Sequence, residues 1–294
     1  MKKMFLLIAA LMILPSCIEI VKVIFTKNKP AIAADTEGSK VKTPSRSISG
    51  NELFDPLLQS WNEARNARDA KALAKLFAPQ CYTHGKSMTN NELIDYYTEA
   101  FAKHEDYSQT ITAEPVFYEI TPDLWSIQVR KDFTQSGKTV NTEVLLIVER
   151  IDEVWLIVNE SDDSLDRNIL KKVGIESITR KAKNCDEIVH QILTTAPYFR
   201  FIIMQQWEVA RKNKVKLKLL MQKEERGYFF QLVEQHREEN RELVQTRFFF
   251  NPRAHELTQH DVVLDTHNVI PYDKSVNEEL DLLCKSEYPI VRLI

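Results

Sequence analysis

No stretch of this 294-residue sequence spells out a reaction. Its four cysteines never fall in a C-x-x-C pair, so the spacing that holds a structural zinc is missing. No unbroken run of about 20 apolar residues occurs, the length a membrane-crossing helix needs. Basic charge is not in excess either, with 39 Lys and Arg against 42 Asp and Glu. That balance is uneven along the chain. Residues 1–50 carry eight basic and three acidic groups, which leaves 31 basic against 39 acidic beyond them. A remainder near −8 has the wrong sign for a phosphate backbone, and nucleic-acid binding is set aside. The acidic stretch from Glu160 through Asp162, Asp163 and Asp166 lacks the D-x-D-x-D-G spacing and distal Glu of an EF-hand. It reads as a solvated interdomain turn.

What is present suits two small globular domains. A hydrophobic content of 44% and a charged content of 28% let each half bury a core, and the length fits two units of about 100–150 residues. Met1-Lys2-Lys3 precedes an apolar run from Met4 to Leu14 and then Pro15-Ser16-Cys17, the pattern of a secretory leader. Leu14-Pro15-Ser16-Cys17 also resembles a bacterial lipobox, whose Cys becomes the acylated N-terminus. On that reading 1–17 is the signal peptide, Cys17 is lipidated, and the protein is held to a membrane in the cell envelope. Two alternatives stay open: cleavage near Ala31-Ile32-Ala33-Ala34, giving a soluble secreted form, and an uncleaved anchor over 4–25, which Pro15, Glu19 and Lys22 make a poor span. Residues 18–50 are expected to be a disordered tether, since they have little to bury. An exported chain allows a disulfide between Cys185 and Cys284, which bracket the second domain; buried thiols are the competing reading for these two and for Cys81.

In the first domain, residues 51–168, Phe54, Leu57, Leu58, Trp61, Ala64 and Arg65 recur at helical spacing over 52–67. Asp69 caps a second helix, with Leu73, Leu76 and Phe77 inward and Pro79 as its end. Thr89 and Glu92 form a capping box for a third, lined by Leu93, Ile94, Tyr97 and Phe101. The period then drops to two. Trp125, Ile127, Val129 and Phe133 alternate with polar residues, Gln135–Lys138 turns, and strands follow over Val140–Arg150 and Trp155–Ser161. These predict an antiparallel sheet with one face on the helices.

The stretches WNEARNARDAKALAKLFAPQCYTHGKSMTNNELIDYY, LWSIQVRKDF and GKTVNTEVLLIVERIDEVWLIVNESDD resemble an NTF2-like domain of the SnoaL/ketosteroid-isomerase type, over roughly two fifths of the chain. The resemblance implies a cone of curled sheet around helices, whose open end takes a small apolar ligand. Some such proteins catalyse with an Asp, Tyr or His at the mouth, and others only bind or brace a partner, so fold leaves function open. It places His84 where enzymatic relatives keep an acid/base residue, although they often have Asp-Pro where this chain has His-Gly. Tyr82, Tyr97, Trp125, Trp155 and Asn159 are the other expected ligand contacts; core packing is the competing reading for the two tryptophans.

The second domain, residues 180–294, shows helices capped at Asn184 or Asp186 and opened by Pro197. A four-stranded antiparallel meander then runs to a terminal helix near 276–284. The whole is an α+β protein. His255, His260, Asp265 and His267 cluster in sequence without placing two His on one face, so no metal is expected, and no cofactor either. The leading expectation is a non-enzymatic, exported binding protein. The alternatives are a small-molecule enzyme using His84, and a homodimeric scaffold pairing through its sheet and the Phe248-Phe249-Phe250 run.

Overall fold

A computed structural model of the chain describes residues 50–175, 181–236, 241–261 and 266–288. The leader 1–17 with Cys17, the tether up to residue 49, and Asp265 lie outside the described residues.

Helix α1 (Gly50–Asn66) buries Phe54, Leu58, Trp61, Ala64 and Arg65 on one face. Asp69 caps the short α2 (Ala70–Ala74) by accepting from the Lys71 and Ala72 N–H groups. The helix stops there, earlier than its apolar spacing predicts. Phe77 already belongs to strand β1 (Phe77–Thr83), and Pro79 lies within that strand, between two register points where the pairing slips. A proline has no N–H to give a ladder, so an irregular stretch of strand is where it fits. Strand β2 (Lys86–Thr89) leads into α3 (Asn90–Lys103), whose capping box of Thr89 and Glu92 forms as expected.

Four further strands follow besides a short β3 (Ser108–Ile111): β4 (Val116–Thr121), β5 (Leu124–Gln135), β6 (Lys138–Ile151) and β7 (Val154–Asp162). The order is β2-β1-β7-β6-β5-β3, with β4 also paired to β5. All pairs are antiparallel except β1 with β7. Helix α1 meets β3 and β4 while α3 meets β1 and β2, so the two helices reach both ends of the sheet, as in the cone the resemblance implies.

One face of the sheet rests on the helices as expected, and its central strands are buried on the other face as well. Val144, Leu146 and Val148 pack with α1 and α3, whereas Leu145 and Ile147 point the other way into a second core. The unbroken run Val144-Leu145-Leu146-Ile147-Val148 is what a strand covered on both sides requires. The cover on the outer face comes from α4 (Asp163–Lys172) and from the second half of the chain.

That half opens with α5 (Cys185–Thr195), capped by Asn184, and α6 (Pro197–Lys212), with Pro197 at its start. Strands β8 (Lys216–Glu224), β9 (Gly227–His236), β10 (Arg241–Asn251), β11 (Glu256–Asp261) and β12 (Thr266–Ile270) form an antiparallel meander. There are five strands where the spacing predicts four, because the segment before Pro271 pairs with β11. Phe248 and Phe250 are fully buried, and Phe249 packs at a tilt against Phe229 across β9 and β10 on the other face. Helix α7 (Asn277–Cys284) closes the unit, and a disulfide joins Cys284 to Cys185 at the start of α5. Cys81 is a buried free thiol. The described residues belong to one compact unit.

Candidate functional site

A cavity of about 450 Å³ opens at one end of the first sheet. Helices α1 and α3, the β1–β2 hairpin and strands β5 and β7 deliver its floor and the groups that hold it. Trp61 and Arg65 stand one turn apart on the inward face of α1. Tyr97 comes from α3. His84 is presented by the β1–β2 hairpin, in which Thr83 pairs Lys86 and only His84 and Gly85 turn the chain. Both turn residues have positive φ, 51° and 73°, the geometry of a two-residue hairpin loop, so the Gly after His84 serves the turn. Lys131 and Glu160 come from the sheet.

The inward position of Glu160 depends on a bulge. Val148 pairs with Ile157 but Ile147 pairs with Asn159, so β7 carries one extra residue at Val158. An extra residue inverts the alternation beyond it. Without the bulge Trp155, Ile157, Asn159 and Ser161 would share a face; with it Glu160 and Asp162 turn inward and Asn159 turns out. Asn159 therefore lies fully buried on the outer face beside Tyr82, its register partner on β1. Neither of these two expected ligand contacts touches the cavity. Trp125 and Trp155 do face inward but pack on Phe54, with ring centroids 5.5 and 5.0 Å away. Phe54 precedes Arg65 by three helical turns, about 16 Å. Both tryptophans are partly buried and pack against the core at the far end of the cone. Of the six expected residues, His84 and Tyr97 alone line the cavity.

These two meet residues the period-two reading passes over. Arg65 donates to Glu160 Oε1 at 2.5 Å, to the Tyr97 hydroxyl at 2.6 Å and to the Tyr107 hydroxyl at 3.1 Å. Trp61 Nε1 donates to the other Glu160 oxygen at 3.4 Å. The Tyr97 hydroxyl lies 3.1 Å from His84 Nε2. Because Arg65 donates into Tyr97, the phenol proton is free to point at Nε2, which selects the Nδ1–H tautomer of His84. Lys131 Nζ donates to Gln109 Oε1 at 2.6 Å and lies 4.7 Å from the centre of the Trp61 ring.

Burial and charge act together on this floor. Burial works to raise the Glu160 carboxyl, but the Arg65 charge, joined by Lys131 and His84 when these are protonated, outweighs it and holds the group below its usual range. Burial lowers His84 and, with the Arg65 charge, outweighs the raising pull of Glu160, so the imidazole is neutral near pH 7. Burial raises the Tyr97 phenol, which keeps its proton. Lys131 falls to about 7, chiefly from burial and then from the Arg65 charge. Its sequence signal was its parity: it holds the inward place between Val129 and Phe133. Glu160 has no such signal, since nothing in the residues around Val158 announces a bulge.

The other acidic residues are not a solvated turn. Asp162 caps α4 by accepting from the Leu165 N–H at 2.8 Å, and Asp166 is buried against Arg200 of α6. Among the described residues no three His, Cys, Asp or Glu gather as metal ligands. His255 contacts Asp281 at 2.6 Å, and His260 stacks on His267 across β11 and β12.

No family model matches the chain, and no curated protein does. Solved structures similar to part of the chain include an NTF-2 like protein of unknown function from Shewanella oneidensis, 19% identical, covering 39% of this chain and 98% of that one at a TM-score of 0.34. A protein with a cystatin-like fold from Caulobacter vibrioides is 16% identical over 38% of this chain and 87% of its own, also at 0.34. An NTF2-like protein of unknown function from Pseudomonas putida is 10% identical over 38% and 84%, at 0.33. Likeness at this level names no activity, and the α+β architecture stands on the strand order and helix placement above.

Proposed function

We propose that this chain is an exported cell-envelope protein that binds a small, largely apolar ligand in the cone of its first sheet, with one polar end of the ligand seated on the Arg65–Tyr97–His84 floor. One observation carries the reading: a cavity of about 450 Å³ that sets the aromatic rings of Tyr96, Phe101, Tyr107 and Phe133 against a charged floor, with Glu99 and Lys103 also lining it. That volume and the convergence of polar groups on one floor suit a small-molecule site. Export is supported by the leader pattern of residues 1–17 and by the Cys185–Cys284 bridge, because disulfides persist in oxidising compartments. Attachment to a membrane through an acylated Cys17 follows from the same reading. The second half of the chain acts as a brace: Glu208 of α6 accepts from the Ser87 N–H at 2.8 Å and so steadies the hairpin that carries His84.

The test is native mass spectrometry of the full chain purified from its own cell envelope. A retained small apolar molecule that is lost in Arg65→Met supports the reading, and an empty cavity in every preparation overturns it. A second reading, acid/base catalysis, is favoured by the 3.1 Å contact of His84 with Tyr97. On that reading His84→Ala would keep the retained molecule but abolish its conversion.

A further inference from the structure

We propose that Lys131 is a carbonyl-capturing amine: an aldehyde or ketone entering the cone is held as an imine on its Nζ. The inference rests on the binding reading above and assigns that site a ligand class.

Lys131 is 5% exposed, a rare condition for a lysine without a charged partner. Its hydrogen bond goes to the neutral amide oxygen of Gln109, and no carboxylate of the described residues pairs with it directly. Glu160 is engaged by Arg65 from α1 and by Trp61. The amine thus shares the floor with a guanidinium, lies over the Trp61 face and lines an accessible cavity. Desolvation beside a second cation is the arrangement that leaves a lysine amine unprotonated and nucleophilic near neutral pH. The groups facing it bear this out: burial and Arg65 lower it to about 7, against the opposing pull of Glu160 and Asp162 on β7. A lysine serving only to fill the core would leave that charge cost unexplained, since Met fills the same space without it.

The step balances without a redox partner. The Nζ lone pair attacks the carbonyl carbon as the C=O π electrons pass to oxygen, which takes up a proton. Nitrogen loses a proton to give the carbinolamine, the hydroxyl leaves with a second proton as water while the nitrogen lone pair closes the C=N bond, and the resulting iminium gives up its remaining N–H proton. Amine and carbonyl give imine and water. His84 and Tyr97 line the same floor and are placed to pass protons to the departing oxygen.

The test uses the full chain with 2-naphthaldehyde and sodium cyanoborohydride, which reduces an imine to a stable secondary amine, followed by peptide mapping. In parallel, 2-naphthalenemethanol, which has no carbonyl, reports binding through quenching of its fluorescence. The expected result is a single adduct on Lys131, formed at pH 7 at least ~10-fold faster than on any other lysine, since ordinary lysines near pKa 10.4 are almost wholly protonated there. The Lys131 rate should rise through about pH 7. Lys131→Met and Lys131→Arg should both lose the adduct, and preferred labelling that persists in either variant overturns the assignment. An alcohol that binds with no preferred labelling of Lys131 overturns the carbonyl site and leaves the binding reading intact. Failure of both probes to bind, with labelling spread over exposed lysines, overturns the two together.

Discussion

Arg65 holds the candidate site together, because one guanidinium ties α1 to α3 through Tyr97 and to the sheet through Glu160. Its side chain and that of Glu160 are 4% and 7% exposed, so neither charge has water to fall back on. A buried pair of this kind adds little net stability over an apolar pair, but breaking it strands a charge. Arg65→Met should therefore cost about 3–5 kcal/mol of unfolding free energy, and Glu160→Gln in the same background should recover part of that. Urea unfolding of the two variants and the double variant measures this, and an additive double variant would mean that the pair does not couple. Arg65→Lys should rescue poorly, since an ammonium cannot reach Glu160, Tyr97 and Tyr107 at once with the fixed fork of a guanidinium.

Between elements, the seam of α4 and α6 shows the same chemistry with the charges out of balance. Arg200 faces three carboxylates, with Glu143 at 3.4 Å, Asp163 at 3.7 Å and Asp166 in closest contact. One positive charge cannot satisfy all three, and Asp166 is the most deeply buried. Burial raises its carboxyl to about 6, against the lowering pull of Arg200. The folded state thus binds a proton more readily than the unfolded chain, whose Asp titrates near 3.9. The contribution of Asp166 to stability is fully present below about pH 4 and is lost as the pH rises through about 6. Asp166→Asn should remove this slope and cost under about 1 kcal/mol at pH 7, whereas Arg200→Met should cost about 3–5 kcal/mol. Thermal or urea unfolding between pH 4 and 8 checks both. A wild-type chain that gains stability relative to Asp166→Asn across that range would contradict the assignment.

Over the whole molecule, the first sheet depends on the second half of the chain. Tyr82, Leu145 and Ile147 belong to the same core as Phe199, Phe230 and Phe248, so the outer face of the cone is closed by residues a hundred positions away. The Cys185–Cys284 bridge closes a loop of 99 residues within that second half. Removing it by reduction, or as Cys185→Ala with Cys284→Ala, should lower stability by about 4–5 kcal/mol if loop entropy dominates. The loss should also loosen the hairpin that carries His84, because Glu208 reaches Ser87 from the same unit. A urea midpoint unmoved by reduction would show that the bridge contributes nothing to this fold.

Much of this architecture was legible in the residues themselves. Local chemistry alone marks the Asp69, Thr89 and Asn184 caps, the helix opened by Pro197, the hairpin at Gln135–Lys138 and the switch from period 3.6 to period 2. Each of these depends on neighbours a few positions away, which a sequence displays. Lys131 was passed over, although its inward place between Val129 and Phe133 marked a charge on the buried side of an alternating strand. Tertiary structure decided the rest. The bulge at Val158 inverted β7, moving Asn159 out and Glu160 in, and its cause is a pairing between strands that no local pattern records. The fifth strand, the burial of both sheet faces and the meeting of Asp166 with Arg200 are likewise contacts between distant segments. Glu160 and Asp166 read as solvated until the chain closes over them, and for Arg65 and Lys131, which hold inward places in their helix and strand, only the closed chain shows which charges share their buried floor.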